Sequence, residues 1–246
     1  MYIDGFPAEY LRAKLRLIDS RISELPDVRV GKRDGRDVLR QITRINGKRI
    51  IHEVSLNKQA GKELLDKRDF RNKLLAVKRQ IEASLKGVPV TCEIDLRKVD
   101  TFYDRRFWEQ VHIRAEFEKK DKGYDYKGMR LDSRAEMIVA QTLDELGLEY
   151  KYEPQLIIGN DIYYPDFIVY LPEFQRCFFI EFLGKLNDLK YITRNEFKLM
   201  DYLNSGMVVN QDLLLFCGFE DRMVNADDMK DDIMALLRKY CRMYKA

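Results

Sequence analysis

The chain has 246 residues, 46% hydrophobic and 35% charged, a composition that excludes wholesale disorder and a length that allows one domain with an appendage. No window approaches the ~20 apolar residues of a bilayer crossing, the start lacks the basic and apolar regions of a signal peptide, and four scattered cysteines with only two histidines argue against a zinc site or a His-Asn-His nuclease, so a cytoplasmic protein is expected. The net charge of +3 hides an asymmetry: residues 1–100 hold 23 Lys+Arg against 15 Asp+Glu, the remainder 21 against 26, as fits a nucleic-acid-gripping arm joined to a carboxylate-bearing domain or, equally, two differently charged solvated surfaces.

In chain order, Leu11, Leu15, Ile18, Ile22 and Leu25 recur at steps of four and three, which predicts a helix over 8–25 with one apolar seam, ended by Pro26. Strand and turn signals fill 28–54, with Asp34-Gly35 and Asn46-Gly47 between β-prone runs, so a three-stranded meander is expected. It carries Arg29, Lys32, Arg33, Arg36, Arg40, Arg44, Lys48 and Arg49, enough to meet several phosphates. A second helix over 58–85 repeats the seam with Leu64, Leu74, Val77, Ile81 and Leu85. Each seam needs a partner, so the two helices pair as an antiparallel coiled-coil hairpin with the meander at its tip. The hairpin serves as a nucleic-acid arm or as a homodimer contact, and the charge pattern fits both.

Lys86-Gly87-Val88-Pro89 breaks the second helix, and a connector follows over 91–127. Its cluster of Phe102, Tyr103, Phe107 and Trp108 has no basic groove beside it and reads as core rather than a base-stacking platform. From residue 128 the order changes. Ser133 and Glu136 form a capping-box pair before a helix that Gly147 stops. Strands follow at 148–152, 156–158, 166–171 and 177–183, then a helix at 191–203, a strand at 213–217 and a closing helix at 226–244. That order gives an α/β domain with a mixed central sheet flanked by helices. The domains are therefore 1–90, 91–127 and 128–246.

Glu181 interrupts the most apolar stretch of the chain, Phe178-Phe179-Ile180-Glu181-Phe182-Leu183. A buried carboxylate is expensive unless a cation compensates it. Asp166 opens a strand after Pro165; if the two strands are neighbours, the carboxylates converge, and a carboxylate pair with a backbone carbonyl and waters suits Mg²⁺ or Mn²⁺.

Pro165-Asp166, followed fifteen residues after the aspartate by Glu181 in a hydrophobic strand, with Ser133-Arg134-Ala135-Glu136 on an upstream helix, resembles the PD-(D/E)XK nuclease superfamily. The strings Leu131-Asp132-Ser133-Arg134-Ala135-Glu136, Tyr152-Glu153, Pro165-Asp166-Phe167 and Ile180-Glu181-Phe182-Leu183-Gly184 are especially similar to a bacterial and phage branch, over about residues 128–220. One departure matters: the family's lysine belongs two residues beyond the second acid, where this chain has Leu183. The resemblance implies that the following helix supplies the amine, with Lys198 favoured over Lys185.

It further implies a restriction-endonuclease-like core and metal-assisted phosphodiester hydrolysis, with DNA the favoured substrate. Asp166 and Glu181 hold Mg²⁺ or Mn²⁺, Glu136 ligates directly or through water, Lys198 orients the attacking water, and Glu153 and Gln155 stay structural or substrate-positioning. Lys32, Arg33, Arg36, Arg40, Arg44, Lys48 and Arg49 would grip the nucleic acid. Two rivals stand beside this: a nuclease-like fold without turnover that binds nucleic acid or protein, and a scaffold whose hairpin is the working part.

Overall fold

The structure is a computed structural model that describes residues 3, 5–45, 48–95, 101–115, 123–218 and 225–245, without the side chains of residues 44 and 45. The chain divides into two compact units, Leu11–Pro89 and a larger one formed by Met1–Tyr10 with Val90–Ala246. The first residues thus belong to the larger unit and not to the arm. The reason is packing: Tyr10 is fully buried and stacks on Phe6 and Phe174, with ring centroids 5.1 and 6.0 Å away.

The smaller unit holds most of α1 (Ala8–Glu24), then β1 (Asp27–Arg33), β2 (Arg36–Ile45), β3 (Lys48–Ser55) and α2 (Gln59–Ser84). The helices run antiparallel, since Arg12 donates to the carbonyls of Val88 and Pro89 at 2.8 and 2.9 Å while the Lys78 ammonium meets Asp19 at 2.5 Å. Of the expected seams, Leu11, Ile18, Leu64 and Ile81 are buried, while Leu15, Ile22, Leu74, Val77 and Leu85 are half-buried. The strands form the meander in the order β1-β2-β3, antiparallel throughout. Asp34 and Gly35 have φ of 49° and 73°, as a two-residue turn with both central residues left-handed requires; Asn46-Gly47 lies outside the described residues. The first turn of α2 sits tightly under β3: a Cβ on Gly61 would come within 2.1 Å of the Ser55 carbonyl oxygen.

The larger unit is built on a mixed four-stranded sheet in the order β11-β10-β9-β6. The helix α4 (Arg134–Leu146) leads into β6 (Glu149–Tyr152), then β9 (Phe167–Leu171), antiparallel to β6, and β10 (Arg176–Leu183), antiparallel to β9; α5 (Leu189–Asn204) then crosses over to β11 (Leu213–Cys217), parallel to β10. As the spacing predicts, the Ser133 hydroxyl accepts from the Glu136 amide at the start of α4, and Gly147 closes it at φ 66°. The closing helix α6 (Ala226–Met243) packs on α4 and β11. Two short hairpins, β4 (Tyr124–Tyr126) with β5 (Met129–Leu131) and β7 (Leu156–Ile158) with β8 (Asp161–Tyr163), lie outside the main sheet; β4, β5 and β8 are absent from the sequence reading because three residues carry too little periodicity to see.

Ile168, Tyr170, Cys177 and Phe179 alternate onto one sheet face, where Tyr202 of α5 and Leu156 cover them. Tyr103, Phe107 and Trp108, the last two on α3 (Arg105–Gln110), pack against the same cluster, so most of the expected connector is part of this unit. Phe102 departs from the expected aromatic core: it is 94% exposed, because Tyr103 and not Phe102 turns toward Phe179. No helix among the described residues is long and apolar enough to cross a membrane.

Beyond this cluster, Arg176 is 2% exposed, forms an ion pair with Asp212 and donates to the Tyr244 hydroxyl at 2.8 Å. An unpaired buried guanidinium is costly, so Asp212→Ala should lower the unfolding free energy by about 3–5 kcal/mol in urea titrations followed by circular dichroism.

Candidate active site

The register of β9 against β10 decides the geometry. Ile180 pairs with Phe167, and one step further along the same antiparallel register Glu181 stands opposite Asp166. Directly opposed residues share a face, so both carboxylates belong to the face that α5 covers. The Phe182 amide donates to Asp166 Oδ2 at 2.6 Å, and the Glu153 amide donates to the Asp166 carbonyl at 2.9 Å. Asp166 is thus held by backbone on both flanks.

Glu181 is 4% exposed. Its Oε1 accepts from the Lys198 ammonium at 2.5 Å, the expected amine from α5, and that ammonium lies 5.7 Å from the centroid of the Tyr202 ring. Its Oε2 is buried with no hydrogen-bond partner. A bare carboxylate oxygen in such a place costs free energy until something positive meets it.

Burial pushes the Asp166 carboxyl well above its ordinary range, and the Glu181 and Glu136 charges add to the rise against the pull of Lys198 and the Phe182 amide. Glu181 is likewise raised, first by burial, with Lys198 opposing. Burial also raises Tyr191, followed by the same three carboxylates; its hydroxyl accepts from the Gly184 amide at 3.3 Å. Tyr191 and the buried, unpartnered Tyr202 hydroxyl border the site without having been singled out as site residues. The signal was their helical spacing from Lys198, seven residues before and four after, since both distances return to one helix face.

Glu136 stands differently. Its Oε1 accepts from the Ser133 hydroxyl at 2.8 Å, and its Oε2 from the Asp132 amide at 2.8 Å and the Tyr152 hydroxyl at 2.7 Å. It secures the start of α4 against β6, and it reaches the two other carboxylates through its charge. Among the described residues no group of three or more His, Cys, Asp or Glu side chains is arranged to hold a metal ion. The site is a pair, Asp166 and Glu181, with Glu136 behind it.

Other expected residues fall outside. Lys185 is exposed. Leu183, two residues beyond Glu181, is buried. Glu153 pairs with Arg114 at 3.0 Å, and the Gln155 backbone amide donates to the His112 carbonyl at 2.7 Å. The meander arginines lie in the smaller unit and are considered below.

The donor set is all oxygen, and the orphaned Glu181 Oε2 is the atom a hard divalent cation would satisfy, so these residues fit Mg²⁺ or Mn²⁺. No family model, curated protein or solved structure matches this chain.

Two consequences follow from the raised carboxyls. Protons compete with a cation for them, so Mn²⁺ should bind more tightly at pH 8 than at pH 5.5 and release protons on binding, as calorimetry in two buffers of different ionisation enthalpy would register. A carboxyl whose folded pKa exceeds its unfolded value destabilises the fold as pH rises from the ordinary carboxylate range through the raised value, and the penalty is absent below that window. In EDTA at pH 8, Asp166→Asn should therefore melt higher than the parent, by about 2–4 °C per kcal/mol relieved.

Proposed function

We propose that the chain is a divalent-metal-dependent nuclease of the PD-(D/E)XK kind, with DNA as its substrate and α4-β6-β9-β10-α5-β11 as a restriction-endonuclease-like core. One observation carries the reading: Glu181, deep in an apolar strand beside Asp166, gives one oxygen to Lys198 and keeps the other buried and bare. An unpaired buried acceptor costs free energy, so it marks a place where a positive group would be held.

Asp166 and Glu181 would hold Mg²⁺ or Mn²⁺, with Glu136 adding negative charge from behind. Such an ion, when bound, supplies Lewis acidity toward the phosphodiester and makes water a stronger nucleophile near neutral pH. Lys198 would donate to the attacking water or a non-bridging phosphate oxygen and offset charge as it builds there. Water's oxygen bonds to phosphorus, the bond to one ester oxygen breaks, and that oxygen leaves with a proton, giving a phosphate monoester and an alcohol. Phe182 and Glu153 keep Asp166 in place through their amides, and the Tyr202 ring backs the ammonium.

A second reading, nucleic-acid binding without turnover, is favoured by Leu183 at the lysine position and by the absence of a three-carboxylate group among the described residues. The two separate in one assay with single-stranded, duplex and branched DNA, and RNA, under Mg²⁺, Mn²⁺ and EDTA. Cleavage should appear only with the metals, and Asp166→Ala, Glu181→Ala and Lys198→Met should each lower its rate by about 10²-fold or more with circular dichroism unchanged. Absence of divalent-dependent cleavage of all four substrates removes the nuclease reading.

A further inference from the structure

The smaller unit, Leu11–Pro89, carries 21 Lys+Arg against 10 Asp+Glu, and the meander sorts part of that charge by side. Val28 and Leu39 form a cluster with Leu64 of α2, against which Val54 packs, so the face holding alternate residues 28, 39 and 54 is the covered one. The register Arg29↔Arg40↔Glu53 and Arg33↔Arg36 places these residues on the other face. There Arg29, Arg33, Arg40 and Arg49 line a groove of about 700 Å³ floored by Ile42 and Ile51. Arg29, Arg33, Arg36 and Arg49 are exposed and Arg40 is half-buried.

The negative charge on this side is small. Glu53 accepts from Arg40 at 2.9 Å and from Arg33 at 3.2 Å, and Asp27 occupies the far end of β1. The expected lysines separate from the arginines: Lys32 shares the alternation of Val28, and Lys48 that of Val54, so both belong to the opposite face. Arg44 pairs in register with Arg49, and its side chain lies outside what is described.

We propose that this arginine face is a sequence-independent docking surface for the phosphate backbone of duplex nucleic acid. Planar guanidiniums match phosphate oxygens two at a time, which ammonium groups do not. Among the described residues no aromatic side chain occupies the face, so it offers unstacked bases nothing to stack on, and a duplex, whose bases are already stacked, is the better fit than a single strand. The apolar lining of the groove is Val30, Ile42 and Ile51, with no aromatic anchor among the described residues of the kind that dominates protein–protein contacts. This goes beyond the proposed nuclease activity and does not require it: the contact forms whether or not the bound duplex is cut.

The test is fluorescence anisotropy of the full chain in EDTA with a labelled 30-base-pair DNA duplex over a range of salt concentrations. Two double variants remove equal charge from the two faces: Arg29→Gln with Arg49→Gln, and Lys32→Gln with Lys48→Gln. The arginine pair should lower the slope of log affinity against log salt by about 1.8, at about 0.9 per lost phosphate contact, and weaken binding at least tenfold, while the lysine pair leaves both near the parent values. Thermal melts of both variants exclude misfolding as the cause. Equal losses from the two pairs, or no loss from the arginine pair, overturn the proposal, as does tighter binding of a single strand or of poly-glutamate than of the duplex. An RNA duplex of equal length shows whether both duplex forms are accepted, and acceptance of either supports the surface. Because no metal is present, failure here is separate from failure to cleave.

Discussion

One negative charge inside an apolar strand organises the larger unit. The strand β10 is buried along nearly its whole length, and Glu181 lies in it with neighbours that offer little solvation. Lys198 answers half of the demand from α5, and the position of that helix over the sheet is thereby tied to an ion pair as well as to the Tyr202 contact. Had the strand carried another aliphatic residue, α5 could have packed there through apolar contact alone. The remaining oxygen is a standing cost that packing does not relieve.

Asp166 compounds that cost. Antiparallel register puts it across from Glu181, and Glu136 adds a third negative charge whose own oxygens are already engaged by Ser133, Asp132 and Tyr152. Both strand carboxyls are raised by burial, and one ammonium is too little to settle the balance. Proteins tolerate such local destabilisation where chemistry is done and offset it elsewhere. In this unit the aromatic cluster of Tyr103, Phe107, Phe179 and Tyr202, together with the Arg176–Asp212 pair, supplies the surrounding rigidity. The proposed metal chemistry makes use of the cost: a cation that lowers the energy of the fold is also the cation that the reaction needs.

The smaller unit follows a different logic, with charge left in water instead of buried. Its sheet gives one face to α2 and leaves the other open, so alternation along each strand separates aliphatic residues from arginines. Glu53 keeps two of the guanidiniums apart from their own repulsion without closing the groove.

Much was legible from the chain alone. Helical periodicity, the Ser133–Glu136 cap, Gly147 and the apolar strands needed only local preferences, and they gave the order of the longer helices and strands in both units. An acid in a greasy strand announced that a cation must sit nearby, and the family resemblance pointed to the following helix and Lys198 as its source. What no local pattern contains is which strand lies beside which and in what register. That decided that Asp166 faces Glu181, that Glu136 is tied down by Tyr152 from another strand, that Phe102 is left in solvent while Tyr103 reaches the sheet, and that Lys32 and Lys48 lie on the other side from Arg29, Arg33, Arg36, Arg40 and Arg49. Sequence fixes what each residue needs; only the pairing of distant segments determines what each one meets, because a one-residue change of register sends every side chain of a strand to the opposite face.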